Sequence, residues 1–182
     1  MPELPVVIVL AAGRGERFTA SGGEVHKLDA MLAGKRVMDH VLNAVRASGL
    51  PFYVVEADAS RPGMGDSIAA GVQANPDAAG WMILPADLPL VQGETLRTIA
   101  LSPPASVTVP VYRGQRGHPV RFGRKCLQEL LDLKGNSGAA PILRAEAAIN
   151  SVAFIDVDDV GVVTDIDTLD DLGRAEMLFA QR

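Results

Sequence analysis

The chain opens on an unbroken apolar run, Val6-Val7-Ile8-Val9-Leu10, with no polar residue in alternation. A run of this kind marks a strand covered on both faces, as in a parallel sheet, whereas a one-sided strand alternates. It ends at Ala11-Ala12-Gly13-Arg14-Gly15, where glycine permits a tight turn. Val37, Val41, Leu42 and Val45 share one face of a helix over Val37 to Ala47, and Gly49-Leu50-Pro51 stops it. Phe52 to Val55 reads as a second strand, Gly65 to Val72 as the start of a helix, and Trp81 to Leu84 as a third buried strand. Beyond these the pattern predicts a helix over Thr95 to Leu101, a strand over Ser106 to Tyr112, a turn at Gly114 to Gly117 and an extended piece from Pro119 to Phe122. Arg124 to Leu133 and Ala139 to Ala148 read as helical, Val152 to Val157 as a strand, and Leu169 to Phe179 as a closing amphipathic helix.

Strand and helix patterns alternate, which predicts an α/β class with a mostly parallel sheet. The length, 182 residues, suits one domain with a full core. No internal repeat or low-complexity segment interrupts it. The longest stretches without a pattern are Gly15 to Lys27 and Ala57 to Gly65, and loops of that length in a small domain tend to carry function.

Charge narrows the function classes. The net charge is −5 and no Lys/Arg run occurs, which argues against a duplex nucleic-acid partner. Cys126 is the sole cysteine, so neither an internal disulfide nor a thiolate zinc cluster can form. Val6 to Ala12 is too short to cross a bilayer and follows no basic leader. The expectation is a cytoplasmic protein with no membrane partner.

Five places carry candidate chemistry. Strand 6–10 delivers Ala12 to Gly15 to the carboxyl edge of the sheet, where α/β proteins bind ligands. Small residues there let backbone N–H groups approach phosphate oxygens, and Arg17 and Lys27 add cations. A dinucleotide fingerprint fails, because Phe18 stands at the sixth position from Gly13, and a Walker A loop fails, because Lys27 lies between His26 and Leu28. A plain turn with two solvated cations accounts for the loop equally well. Asp87, directly after a buried strand, is an expensive place for a lone charge; Mg²⁺ would justify it, since that ion takes one or two carboxylates plus substrate phosphates. A turn or cap aspartate flanked by prolines is the plainer alternative, and the position at a strand end favours the metal. Asp165 and Asp167 alternate along Asp165-Ile166-Asp167-Thr168 and so face one side. One of them could be a second metal contact, while Asp167 or Thr168 could cap the last helix with Asp171 in its first turn. In Gly63-Met64-Gly65-Asp66-Ser67, Ser67 could reach a base or ribose, though capping alone explains Asp66 and Ser67. In Arg116-Gly117-His118-Pro119, His118 could orient an acceptor or be structural. His26 and His40 carry less weight.

Taken in order, these segments resemble the MobA-like nucleotidyltransferase family, and within it most of all the MocA-type branch that transfers cytidylyl groups to molybdenum cofactor. The matching pieces are Leu10 to Phe18, Lys27-Leu28, Gly63 to Val72, Pro85 to Leu90, Arg116 to Val120 and Asp165 to Thr168. The resemblance implies a single-domain, Rossmann-like (GT-A-like) fold over residues 1–182, with helices on both faces of the sheet. It implies attack by the phosphate of molybdopterin on the α-phosphate of CTP, with release of pyrophosphate and dependence on Mg²⁺. It puts catalytic roles on Arg17, Lys27 and Asp87, and metal ligation on Asp87 and Asp167. Nucleotide contacts fall on Leu10, Ala11, Ala12, Gly13, Arg14, Gly15 and Ser67, and the acceptor side on Gly117, His118 and Pro119. A molybdoenzyme or its maturation chaperone would be the downstream partner.

The chain departs from the family pattern in four places. The interval from Arg17 to Lys27 is long and glycine-bearing. A helix and a strand are missing between Glu56 and Arg61-Pro62-Gly63. The glycine-aspartate-lysine-glycine pattern is altered at Lys134 to Gly138, and Leu169 replaces a common proline. Ala12, where the guanylyl-transferring branch carries glycine, favours cytosine. The other readings are guanylyl transfer to the same cofactor, nucleotidyl transfer to a sugar phosphate, and a non-catalytic chaperone that holds cofactor or nucleotide.

Overall fold

A computed structural model describes residues 4–182. The apolar opening run forms strand β1 (Val6–Ala11), and Val7, Ile8 and Val9 are fully buried. A short helix α1 (Glu16–Ala20), a hairpin of β2 (Met31–Leu32) and β3 (Lys35–Arg36), and helix α2 (Val37–Ser48) follow. Strand β4 (Phe52–Glu56), helix α3 (Met64–Gln73), strand β5 (Gly80–Pro85) and helix α4 (Gly93–Leu101) come next. Then come β6 (Val107–Tyr112), β7 (Gln115–Arg116), β8 (Val120–Gly123), α5 (Leu127–Leu131), α6 (Ala140–Ala148), β9 (Val152–Asp156) and α7 (Leu169–Phe179).

The main sheet runs β4-β1-β5-β8-β6, with β7 and β9 both pairing with β6. Strands β4, β1, β5, β6 and β9 point one way, and β8 and β7 point back. The mostly parallel sheet expected from the sequence is therefore present. Alternate residues of the central strands feed two cores, one on each face. Val7, Val9, Met82 and Leu84 pack with Val37, Val41 and Val45 of α2, Leu96 and Ile99 of α4, and Ala175 of α7. Ile8, Trp81, Ile83 and Phe122 pack on the other face with Ile68 and Val72 of α3, Leu130 of α5 and Ile142 of α6.

Two local expectations need correction, and one is made more specific. The stretch 15–27 is not structureless, because α1 lies within it, anchored by Phe18 at 1% exposure. One turn with a single apolar anchor has no period to detect. The extended piece at 119–122 is an internal strand, β8, inserted antiparallel between β5 and β6. The helix read over 124–133 divides into a 3₁₀ turn at Arg124–Cys126 and the short α5.

This topology positions the site. Strands β1 and β5 lie side by side in parallel, with Leu10 opposite Pro85, so their C-terminal ends open at the same edge. Strand β8 runs the other way, with Val120 opposite Ile83. The residues that precede it, Gly117 to Pro119, therefore arrive at that edge as well.

Candidate active site

Two backbone hydrogen bonds extend the sheet beyond its last regular residue. Ala86 N–H donates to the Leu10 carbonyl at 3.0 Å, and Ile166 N–H donates to the Asp87 carbonyl at 2.9 Å. Ile166 is buried, and its neighbours Asp165 and Asp167 both line the cleft above the strands. The cap of α7 falls to Thr168. Its Oγ1 accepts from Asp171 N–H at 3.2 Å, and the Asp171 carboxylate accepts from Thr168 N–H at 2.9 Å. Asp167 is thereby left available for side-chain chemistry.

The charged groups form a chain across this edge. Lys27 Nζ donates to Asp87 Oδ2 at 2.6 Å and to Asp167 Oδ1 at 2.9 Å. Arg17 donates to the other oxygen of Asp167, Oδ2, at 2.6 Å. The Lys27 side chain is 11% exposed and that of Arg17 79%, so only Arg17 fits the description of a solvated cation. Asp87 is not a lone carboxylate: a lysine 60 residues away neutralises it. Burial by itself would lower the Lys27 pKa, but the carboxylates of Asp87 and Asp167 outweigh it and raise the pKa above the usual lysine value. Asp165 is pushed up, first by burial and then by the negative charges of Asp87, Asp167 and Asp171. Burial pushes the His118 imidazole down, against the pull of Asp87 and Asp165.

The cleft holds about 780 Å³, enough for a nucleotide. The structure brings to it Leu10, Ala12, Gly13, Arg14, Gly15, Arg17, Lys27, Ser67, Asp87, Gly117, His118 and Asp167. It does not bring Ala11, which ends β1 and packs against the first core, or Pro119, which is buried. Ser67 is buried and donates to the Gly63 carbonyl at 3.2 Å, while the Asp66 carboxylate accepts from Gly63 N–H and Gly135 N–H, each at 3.1 Å. Asp66 is thus a capping residue that also ties α3 to the segment at 134–137. Glycine is required at 63, because a Cβ there would collide with the Gly135 carbonyl.

His26, which carries little weight in the sequence, joins the site in the structure. Its Nε2 lies 2.8 Å from the Gly13 carbonyl, and its Nδ1 accepts from Leu28 N–H at 3.2 Å. Adjacency to Lys27 was the only signal in the sequence.

The lysine also tests whether a divalent ion suits the site. One ammonium touches an oxygen of Asp87 and an oxygen of Asp167, so the two carboxylates converge on a single cation-sized point. Carboxylate oxygens are the donors Mg²⁺ takes, in ones and twos, when substrate phosphates complete its shell. No group of three or more His, Cys, Asp or Glu that could hold a metal by itself occurs among the described residues. The fit is to an ion that arrives with a phosphate ligand.

The chain is similar to several known proteins along most of its length. The purine catabolism protein PucB of Bacillus subtilis (strain 168) is 27% identical over 187 residues, covering 88% of this chain and 90% of that protein. Among solved structures, a nucleotidyl transferase from Methanothermobacter (Mth528) superposes with a TM-score of 0.80 at 24% identity, over 98% of both chains. Rv0371c of Mycobacterium tuberculosis H37Rv superposes with a TM-score of 0.75 at 26% identity, over 95% of this chain and 98% of that one. Rv0371c has also been crystallised in complex with manganese, in a structure with a TM-score of 0.70 at 24% identity covering 96% and 98% of the two chains. Residues 7–152 match the MobA-like NTP transferase domain, and the chain belongs to that family of nucleotidyltransferases.

Proposed function

We propose that this protein moves a cytidylyl group from CTP to the phosphate of a molybdopterin-type acceptor, with Mg²⁺. The observation that carries the reading is the charge chain Arg17–Asp167–Lys27–Asp87, which lines one cleft together with Ala12 to Gly15. An acceptor phosphate oxygen bonds to the α-phosphorus of the nucleotide, the bond from that phosphorus to the bridging oxygen breaks, and pyrophosphate leaves with the electron pair. A divalent ion on Asp87 and Asp167 would supply charge neutralisation to the triphosphate. The work of the chain itself is to position and to stabilise charge. The loop at 12–15 offers backbone donors, and Lys27 and Arg17 offer cations to the phosphate oxygens as charge builds. Ser67 stands on the nucleotide side. Gly117 and His118 stand on the acceptor side, where burial keeps His118 neutral near pH 7. No protein nucleophile is required.

The catalytic unit is taken as residues 1–182. Asp167 and the cap of α7 complete the site, and both lie beyond the residues matched to the family. Ala12 supports cytosine over guanine. The negative net charge supports small-molecule rather than nucleic-acid partners, and no helix among the described residues is long and apolar enough to cross a membrane.

The test is a panel of CTP, GTP, ATP and UTP with molybdopterin and Mg²⁺, read by pyrophosphate release. CTP should turn over fastest. Asp87→Asn should remove turnover while the far-ultraviolet circular dichroism stays unchanged. Full turnover by Asp87→Asn would take Asp87 out of the mechanism, and tight CTP binding without turnover by the wild type would make the protein a nucleotide-holding chaperone.

A further inference from the structure

We propose that His26 is a positioning residue that holds the anion-binding loop in register with Lys27. The proposal rests on the nucleotidyltransferase reading of the cleft and assigns a new residue to it. The imidazole uses both nitrogens on backbone. Nδ1 accepts from Leu28 N–H at 3.2 Å, so it carries no proton, and the proton belongs to Nε2, which donates to the Gly13 carbonyl at 2.8 Å. One neutral ring thus joins two segments: the loop that follows β1 and the turn that carries Lys27.

The turn side is itself rigid. The His26 carbonyl accepts from Asp29 N–H at 2.9 Å and from Ala30 N–H at 3.2 Å, and Lys27 and Leu28 are buried. The loop side is held at its ends, where the Leu10 carbonyl accepts from Ala86 N–H at 3.0 Å and the Gly15 carbonyl from Thr19 N–H at 3.1 Å, with Gly13 between them. Gly13 has open space around it, since a Cβ built there meets nothing within 4 Å. Gly15, at φ +67°, turns the chain into α1 with its Cα against the same ring, so that a Cβ there would lie 3.2 Å from His26 Nε2. The ring therefore holds Gly13 by its carbonyl and lies against Gly15.

The electrostatic consequence follows from which backbone atom is held. A loop that binds phosphate must offer N–H groups and keep carbonyl oxygens away, because those oxygens repel the anion. His26 engages the Gly13 carbonyl and fixes that peptide unit. Without this bond, the glycine loop samples orientations that present the carbonyl to the ligand, and the cost appears as weaker binding.

The experiment measures equilibrium binding of inorganic triphosphate with Mg²⁺ by calorimetry, then KM and kcat for CTP, in the wild type, His26→Ala and His26→Gln. Triphosphate carries no base and no acceptor, so it reads the loop alone. Loss of one hydrogen bond to the loop predicts about tenfold weaker triphosphate binding in His26→Ala. KM for CTP should rise by a similar factor, while kcat changes by less than about threefold. His26→Gln places an N–H donor where Nε2 stood and should recover most of the binding. If the alanine variant fails to fold, His26→Asn, too short to reach Gly13, replaces it against His26→Gln. Equal triphosphate binding by the wild type and the donor-lacking variant would overturn the role of His26 and leave the nucleotidyltransferase reading intact. A fall in kcat with KM unchanged would also overturn it. Failure of the wild type to bind triphosphate would overturn both.

Discussion

Lys27→Met separates the two tasks of the central lysine. In the free protein its ammonium holds one oxygen of Asp87 at 2.6 Å and one of Asp167 at 2.9 Å, the same two groups assigned to the metal. A free divalent ion must displace it. Each charge-assisted hydrogen bond is worth about 1.5–3 kcal/mol, and part of the loss returns as the ammonium meets water, which leaves a net barrier to metal binding of about 2 kcal/mol. Removing the ammonium should therefore tighten binding of Mn²⁺ alone roughly 30-fold. The same change removes a cation from the phosphate side, so transfer should slow by about 2–4 kcal/mol of transition-state stabilisation. Without metal, the partly buried Asp87 loses its cation while Asp167 keeps Arg17, and the variant should be less stable by about 3 kcal/mol, with the loss recovered as Mn²⁺ is added. Electron paramagnetic resonance of free Mn²⁺ reads the affinity, and thermal melts with and without Mn²⁺ read the stability. Unchanged or weaker Mn²⁺ binding by Lys27→Met would show that the lysine does not sit on the metal's carboxylates.

Other changes test neighbouring parts of the structure. Gly63→Ala drives a methyl group into the Gly135 backbone carbonyl, which a side-chain rotation cannot relieve; it should cost about 1–3 kcal/mol in denaturant unfolding, and wild-type stability would refute the close approach of α3 to residue 135. The His118 pKa lies below its ordinary value of 6.5 because of burial, so the unfolded chain takes up the proton first as pH falls. Stability should be intact above about pH 6.5 and decline below it, and His118→Gln should flatten that limb in melts recorded across pH. The Cys126 thiol is buried and pushed up to about 11 by burial and by Glu146 and Glu129, so it should resist a thiol reagent at pH 8 in the native protein and react on unfolding.

The parts of this fold that were legible in the sequence are those with a long local pattern. Strands β1 and β5 are continuous apolar runs, α2 carries four apolar positions on one face, and α7 announces itself through Thr168 and Asp171. The reversal of β8 was not legible, because four residues between two turns carry no information about direction; the sheet supplies it through the pairing with β5 and β6. The site divides in the same way. Candidate residues were visible one by one as charges and glycines at strand ends. Their partners were not, since Lys27 meets Asp87 across 60 positions and Asp167 across 140, and no local periodicity reports such a contact. His26 carries little weight in the sequence for the same reason, because its value lies in two backbone atoms that its ring reaches through space.

The shortened segment after β4 bears on whether this site can work. The family resemblance leads one to expect a helix and a strand ahead of α3; residues 57–62 form neither, so the placing of Ser67 falls to other contacts. The structure holds α3 from the opposite side. Gly63 lets its N-terminus lie against residue 135, the Asp66 carboxylate spans Gly63 N–H and Gly135 N–H, and Ser67 still lines the cleft beside Asp87 and the loop at 12–15. Nothing in the charge chain from Arg17 to Asp87 depends on residues 57–62. Residues 57–62 therefore bear on the rim of the cleft, where Pro62 and Met64 stand, and not on its charged centre. A rim change alters which base or acceptor enters. It leaves in place the cations and carboxylates proposed for transfer, so the nucleotide panel, more than any mutation at the centre, is where this protein should differ from its relatives.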